Sequence, residues 1–283
     1  MKRYFPLFSI LLITTTSAIS QQKLITQAIV STTTNVIAPE EEEQNNLGAG
    51  GGRMNFANAM DGEMKSTTWL KDDMVKTLLK SDVIKSTIYR NNATKLTTTL
   101  MQVMGNQFGF YVTDSEQTEL KKKADSMMQN RRKNDTSATA APAQPHTEPV
   151  VEIVDASESK KIAGYQCKKV YVISTRILGL KDTVAVWYSP EIRLKNINST
   201  GGLSGFGNMA SVNGLDKIDG FVMRYEMNMR RNRRMEVEVT KIDLTKEIAD
   251  KEFDIPKDIE IKPMREMQNM FGGRGGGFGM PRP

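Results

Sequence analysis

Few residues of this 283-residue chain belong to types that carry out chemistry. The one cysteine, Cys167, is flanked by Lys168 and Lys169. Neighbouring cations can lower a thiol pKa and make it a nucleophile. Such a thiol usually takes its base from a histidine. The one histidine, His146, lies in a stretch rich in Pro and Ala that would leave it unanchored. Within a run of Val, Tyr and Ile, Cys167 reads instead as a small buried hydrophobe. Gly202-Leu203-Ser204-Gly205 lacks the spacing of the nucleophile elbow and reads as a loop. Gly48 and Gly50 to Gly52 follow the acidic run Glu40 to Glu43, which repels phosphate, so they form no phosphate cradle. The carboxylates are scattered, and no acid/base pair stands out. The chain therefore reads as a non-enzyme with no cofactor.

Three other groupings point to binding. Phe221, Met223, Tyr225, Met227 and Met229 alternate with Val222, Arg224, Glu226, Asn228 and Arg230. That period of two gives a strand with one apolar and one polar face. With Trp187 nearby, the apolar face would line a concavity for a lipid or another hydrophobic ligand, since methionine adapts to varied apolar shapes. Arg230, Arg231, Arg233 and Arg234 form a basic hairpin tip, suited to lipid head groups or an acidic envelope partner, or simply a solvated turn. Met264, Met267 and Met270 are spaced in threes among 18 methionines. Thioethers can hold copper(I), but this spacing also gives one side of a helical turn, so no metal site is assigned.

The elements that would position these residues are mostly strands. Gln166 to Ser174 and Thr183 to Tyr188 read as a hairpin turned at Gly179 and Lys181-Asp182, and Pro190 ends it. Residues 21–36 read as an opening strand and residues 63–112 as a meander, with turns at Asp72-Asp73 and Asn91-Asn92. Met74 to Leu79 fits either a strand or a helical turn. Thr113-Asp114-Ser115-Glu116 has the form of a capping box, so a helix starts there. Val150 to Val154 begins the second half. Phe221 to Met229 and Met235 to Val239 form a second hairpin, and residues 253–256 and 259–261 a last edge segment. One wet face and one dry face favour an antiparallel sheet. Residues 38–62 and 129–149 read as disordered insertions in a single β-rich domain over residues 21–262, and residues 263–283 as a disordered Met/Gly/Arg tail.

The N-terminus indicates the compartment. Lys2 and Arg3 precede the apolar run Phe5 to Ile13, and Ala18-Ile19-Ser20 offers the small residues a signal peptidase reads. The run is shorter than the roughly 20 residues a membrane span needs. The expected mature protein starts after Ser20 and is periplasmic or secreted, without an integral membrane segment. The net charge of +6 includes Lys2 and Arg3. A mildly basic exported protein can meet anionic membrane surfaces, while nucleic acid is not a partner there.

Four segments carry a resemblance: KKIAGYQC from Lys160, VWYSPEI from Val186, GLDKIDGFVMRYEM from Gly214, and FDIP from Phe253. Together they resemble the exported Gram-negative family catalogued as domain of unknown function DUF4412. IAGYQC and VWYSPEI are also similar to the exported GLPGLI family, although Gly214 to Ile218 stands where that family's signature would fall. Both families are similar in outline to the lipoprotein carriers LolA and LolB. The resemblance implies a curved antiparallel sheet, or incomplete barrel, with a few helices, and it implies no catalytic residue. The expected function is non-catalytic: hydrophobic-ligand binding, or else assembly of the cell envelope through protein–protein contacts.

Overall fold

The structure is a computed structural model, and it describes residues 24–39, 61–103, 105–120, 122–123, 126, 150–175, 181–195, 212–229 and 232–266. Strands dominate. They are β1 (Leu24–Ile25), β2 (Gln27–Ile37), β3 (Gly62–Lys71), β4 (Met74–Lys80), β5 (Ile84–Asn91), β6 (Leu96–Val103) and β7 (Asn106–Thr113) in the first half. The second half has β8 (Val150–Ile162), β9 (Tyr165–Thr175), β10 (Lys181–Ser189), β11 (Arg193–Leu194), β12 (Phe221–Asn228), β13 (Arg234–Asp243) and β14 (Ile261–Pro263).

Twelve of them form one curved, unclosed sheet in the order β14-β7-β6-β5-β4-β3-β2-β13-β12-β10-β9-β8. All neighbours are antiparallel except β14, which runs parallel to β7. The mainly β, antiparallel expectation is thus met. Met74 to Leu79 is strand rather than helical turn. β2 lies between the two halves and pairs with β3 on one side and β13 on the other. Its alternate residues Ala28, Val30, Thr32, Thr34 and Val36 are all buried.

Local chemistry sets the turns. Asp72 and Lys95 take left-handed angles in the β3–β4 and β5–β6 turns. The Asn91 side chain accepts the N–H groups of Ala93 and Thr94, each at 3.0 Å, which is an Asx turn. A hairpin the sequence reading missed joins β8 to β9. Ala163 and Gly164 both have positive φ, at 49° and 88°, as a type I′ turn requires. Lys181 and Asp182, expected in a turn, belong to β10. Residues 176–180, including Gly179, lie outside the described residues, as do both proposed insertions for most of their length and the tail from residue 267.

After β13 the chain crosses the outer face of the meander as a strap. Gln27 donates to the Lys246 carbonyl at 3.1 Å and Lys71 to the Ile248 carbonyl at 3.0 Å. Lys71 also meets Asp250 at 2.5 Å, and Lys76 meets Glu252 at 3.3 Å. The Lys76 ammonium lies 5.1 Å from the Trp69 ring centre and 5.7 Å from that of Tyr89, its cross-strand neighbours. Ile248 and Phe253 of this strap are themselves buried. Residues 253–256, expected as edge strand, form the end of a 3-10 turn (Asp250–Phe253) and a loop; only Ile261–Pro263 pairs with β7. Gly109 permits that pairing, because a Cβ there would stand 2.9 Å from Leu100 and 3.1 Å from Ile261.

The capping box forms as read. Thr113 Oγ1 accepts the Glu116 N–H at 3.3 Å, and Glu116 Oε2 accepts the Thr113 N–H at 3.0 Å. Residues 114–120 are helical. Arg90 of β5 grips the next residue, Asp114, in a two-pronged pair of 2.5 and 2.7 Å. Hydrogen bonding from Arg90 holds the Asp114 carboxyl below the usual range. A depressed carboxyl pKa stabilises the fold above the unfolded value of about 4 and stops doing so as pH falls through the folded value. Asp114→Asn should therefore lower the urea midpoint at pH 7, and the gap to wild type should close below about pH 4. A gap unchanged at pH 3 would show that the pair does not link the helix start to β5.

Candidate functional site

The apolar residues singled out on β12 are in the core rather than at a cavity wall. Phe221, Met223 and Tyr225 are 3%, 1% and 2% exposed. Tyr225 packs with Val36, Met64, Val186, Met235 and Val237 in one cluster, with Met227 and Met229 half-buried against it. Phe221 and Met223 belong to a second cluster with Ala28, Val30, Leu70, Cys167 and Val239. The simple alternation breaks at a bulge. On β10, Trp187 and Tyr188 are consecutive, but their partners Arg224 and Val222 on β12 have Met223 between them. An extra residue on one strand shifts its facing. Val222, expected on the polar face, is consequently buried beside Tyr225.

Trp187 does not join Tyr225 as a cavity wall. Its cross-strand partners are Arg224 and Lys169, whereas Tyr225 pairs with Val186. It touches the second cluster only as a half-buried neighbour. Lys160 stands 4.3 Å and Lys169 5.6 Å from its ring centre. Lys169 also pairs with Glu158 at 2.8 Å. This face of the sheet is a charge ladder: Arg224 meets Glu226 at 2.8 Å and Glu238 at 3.0 Å, and Arg234 joins Glu226 and Glu236.

That ladder changes the reading of the basic tip. Arg234 is bound to two carboxylates of its own sheet. Arg233 is 5% exposed and meets Asp61 at 3.1 Å. A guanidinium buried against a carboxylate fixes the hairpin and is not available to a membrane. Nothing near Arg233 in sequence signals Asp61, which precedes β3. Arg230 and Arg231 lie outside the described residues.

The other candidates offer little chemistry. Cys167 is fully buried, its thiol contacts the Tyr165 carbonyl at 3.4 Å, and burial pushes its pKa up. It packs, as its strand context indicated. Among the described residues, no three His, Cys, Asp or Glu side chains converge in a way that could hold a metal. Met264 is described, while Met267, Met270, His146 and Gly202 to Gly205 are not. A cavity of about 130 Å3 lies on the outer face by Lys85, Tyr89, Leu100, Gln102, Gln107 and Pro256. It is small, well under the 300 Å3 or so of a ligand pocket. No described helix is long and apolar enough to cross a membrane.

The family model described as a domain of unknown function, DUF4412, matches residues 52–259. The chain belongs to that family. No curated protein matches it significantly. Among solved structures, PNGF-II in its P21 crystal form is 15% identical with a TM-score of 0.36, covering 88% of this chain and 34% of its own. The C2 form gives 16%, 0.37, 86% and 32%. The chain thus spans about a third of the length of those proteins. A LolA superfamily protein of Nitrosomonas europaea is 7% identical with a TM-score of 0.29, covering 81% of this chain and 90% of that one.

One polar atom of the DUF4412 core stands out. The Tyr225 hydroxyl is buried and has no hydrogen-bond partner among the described residues, and burial alone raises its pKa. Removing such a group is neutral or stabilising, by up to about 2 kcal/mol. Tyr225→Phe should thus leave the urea midpoint unchanged or raise it. A loss above about 1 kcal/mol would reveal a hydrogen bond to this hydroxyl.

Proposed function

We propose that this DUF4412 protein works in the cell envelope after export, without catalysis, through contacts with another protein. The observation that carries this reading is the closed core. Phe221, Met223 and Tyr225, which would line a ligand concavity, are each at most 3% exposed within two packed clusters. What the sheet offers to its surroundings is therefore edges and charged faces. Export rests on the pattern of Lys2, Arg3, the apolar run and Ala18-Ile19-Ser20.

A second reading, a lipid or other hydrophobic ligand held inside the sheet, is favoured by one observation. The unpartnered Tyr225 hydroxyl sits in a cluster with Met64 and Met235, and Met227 and Met229 pack against it. Methionine side chains re-pack readily, so a ligand with an acceptor group could part them and satisfy the hydroxyl.

Expression of the full chain in a Gram-negative host separates these readings. The periplasmic fraction should contain protein whose sequence starts at Gln21, and retention in the cytoplasm would overturn export. Native mass spectrometry should give the bare mature mass. Amine cross-linking of the envelope fraction of the source cells should give a discrete heavier species. Co-purified acyl-chain mass, with saturable binding of N-phenyl-1-naphthylamine that Tyr225→Phe weakens, would replace the contact reading with the ligand reading.

A further inference from the structure

The two ends of the twelve-stranded sheet are finished differently. At one end the chain caps its own edge, with β14 laid along β7 and the strap anchored behind it. At the other end stands β8, the longest strand, which among the described residues pairs only with β9. Nine of its thirteen residues are exposed and only Ile162 is buried. An edge strand presents a row of free N–H and C=O groups on which another strand can form.

β8 is not open along its whole length. Its second half is blunted by a bulge between Asp155 and Ser159. There Ser157 takes a φ of 55° and donates its N–H to Asp155 at 2.8 Å. Bulges of this kind protect edges from pairing. The first half, Val150 to Asp155, has a regular register against β9 and contains no proline, glycine or lysine. It carries Val150, Ile153 and Val154, exposed by 72%, 37% and 38%. These are three of the six exposed large hydrophobic residues among those described. Glu152 and Asp155 form no ion pair within the described residues.

We infer that the Val150–Asp155 edge of β8 is a docking site for an extended segment of a different protein, one alternating Lys or Arg with β-branched residues, which adds as a thirteenth strand. The inference rests on the contact reading above and names its surface. Strand addition draws affinity from main-chain hydrogen bonds and specificity from alternate side chains. By pairing parity, Val150, Glu152 and Val154 share one face, and Val151, Ile153 and Asp155 the other. An alternating segment carries all its basic residues on one face, so with that face set on Glu152 a basic residue lies opposite Glu152 between Val150 and Val154, and its β-branched residues lie on the side of Val151, Ile153 and Asp155. A second copy of this chain fits less well. In the antiparallel register that sets Val150 against Val154 and Val151 against Ile153, Glu152 falls opposite itself. Like charges directly opposite destabilise a strand pair.

The test uses the mature protein, the double variant Glu152→Lys/Val154→Lys, and two eight-residue peptides alternating Val or Thr with Lys or with Glu. Both substituted side chains are exposed, so the variant should keep the wild-type melting temperature. The lysine peptide should slow amide exchange at residues 150–155, and the glutamate peptide should not. The variant should bind the lysine peptide about tenfold more weakly. Equal binding of both peptides, or protection elsewhere, would overturn the inference. A dimer in sedimentation that Val154→Lys abolishes would overturn it in favour of self-pairing. The envelope cross-link provides the separate control. If wild type forms it and the double variant forms it equally, the edge inference fails while the contact reading stands. If wild type forms none, the contact reading fails, and the peptide arm still reports on the edge.

Discussion

The fold depends on β2 being hydrogen-bonded along both of its edges. It makes ten residue pairs with β3 and nine with β13. The second pairing joins residues about 200 positions apart, so chain closure over a long loop precedes any gain from it. Loop-closure entropy grows only slowly with length, which makes such a clasp sustainable. Without it the meander and the second half would each leave an apolar face uncovered. Register is fixed by burial, since a slip of one residue would turn Val30 and Val36 outward and Ser31 and Asn35 inward.

Two irregularities let the sheet bury what its sequence supplies. On β13 the register shifts between Val239 and Lys241, and Thr240 donates its hydroxyl to the Ser31 carbonyl at 3.2 Å. Strict alternation from Met235 would have brought Lys241 inward; the bulge brings Ile242 against the second cluster instead. The β12 bulge likewise buries Val222. The β2-side interior also holds hydroxyls: Thr32, Thr34, Ser66, Thr68 and Thr77 are buried. Thr68 and Thr77 satisfy each other at 3.1 Å across β3 and β4. Tyr225 is the exception that keeps an unsatisfied hydroxyl, and for that reason the ligand reading retains a physical basis.

The same physics frames function. A core closed over Phe221, Met223 and Tyr225 moves attention from the sheet interior to its margins. There the chain caps β7 with its own strap and blunts half of β8 with a bulge. The remaining half of β8 is left with exposed valine and isoleucine and two acids that form no ion pair among the described residues. The basic tip, once Arg233 is seated on Asp61 and Arg234 on Glu226 and Glu236, becomes part of the scaffold. Family membership adds no role to these features, since DUF4412 is itself described as a domain of unknown function.

Local pattern was enough to read most strands. Period-two alternation marks β12 and β13, Asn and Asp mark the meander turns, and Thr113 to Glu116 announces the helix start because its capping bonds span only four residues. Cys167 as packing followed from its strand neighbours. Tertiary structure decided what no local window contains. Which strand pairs with β2 depends on residues some 200 positions away. The Arg233–Asp61 contact joins the β12–β13 hairpin to the residue before β3. The bulge that moves Val222 inward exists only as a mismatch between two strands, and the register that sets Trp187 opposite Arg224, and Tyr225 opposite Val186, is likewise a property of the strand pair. Phe221, Met223 and Tyr225, read from alternation as part of a binding face, are buried in packed clusters, because what covers a face is supplied by strands distant in sequence.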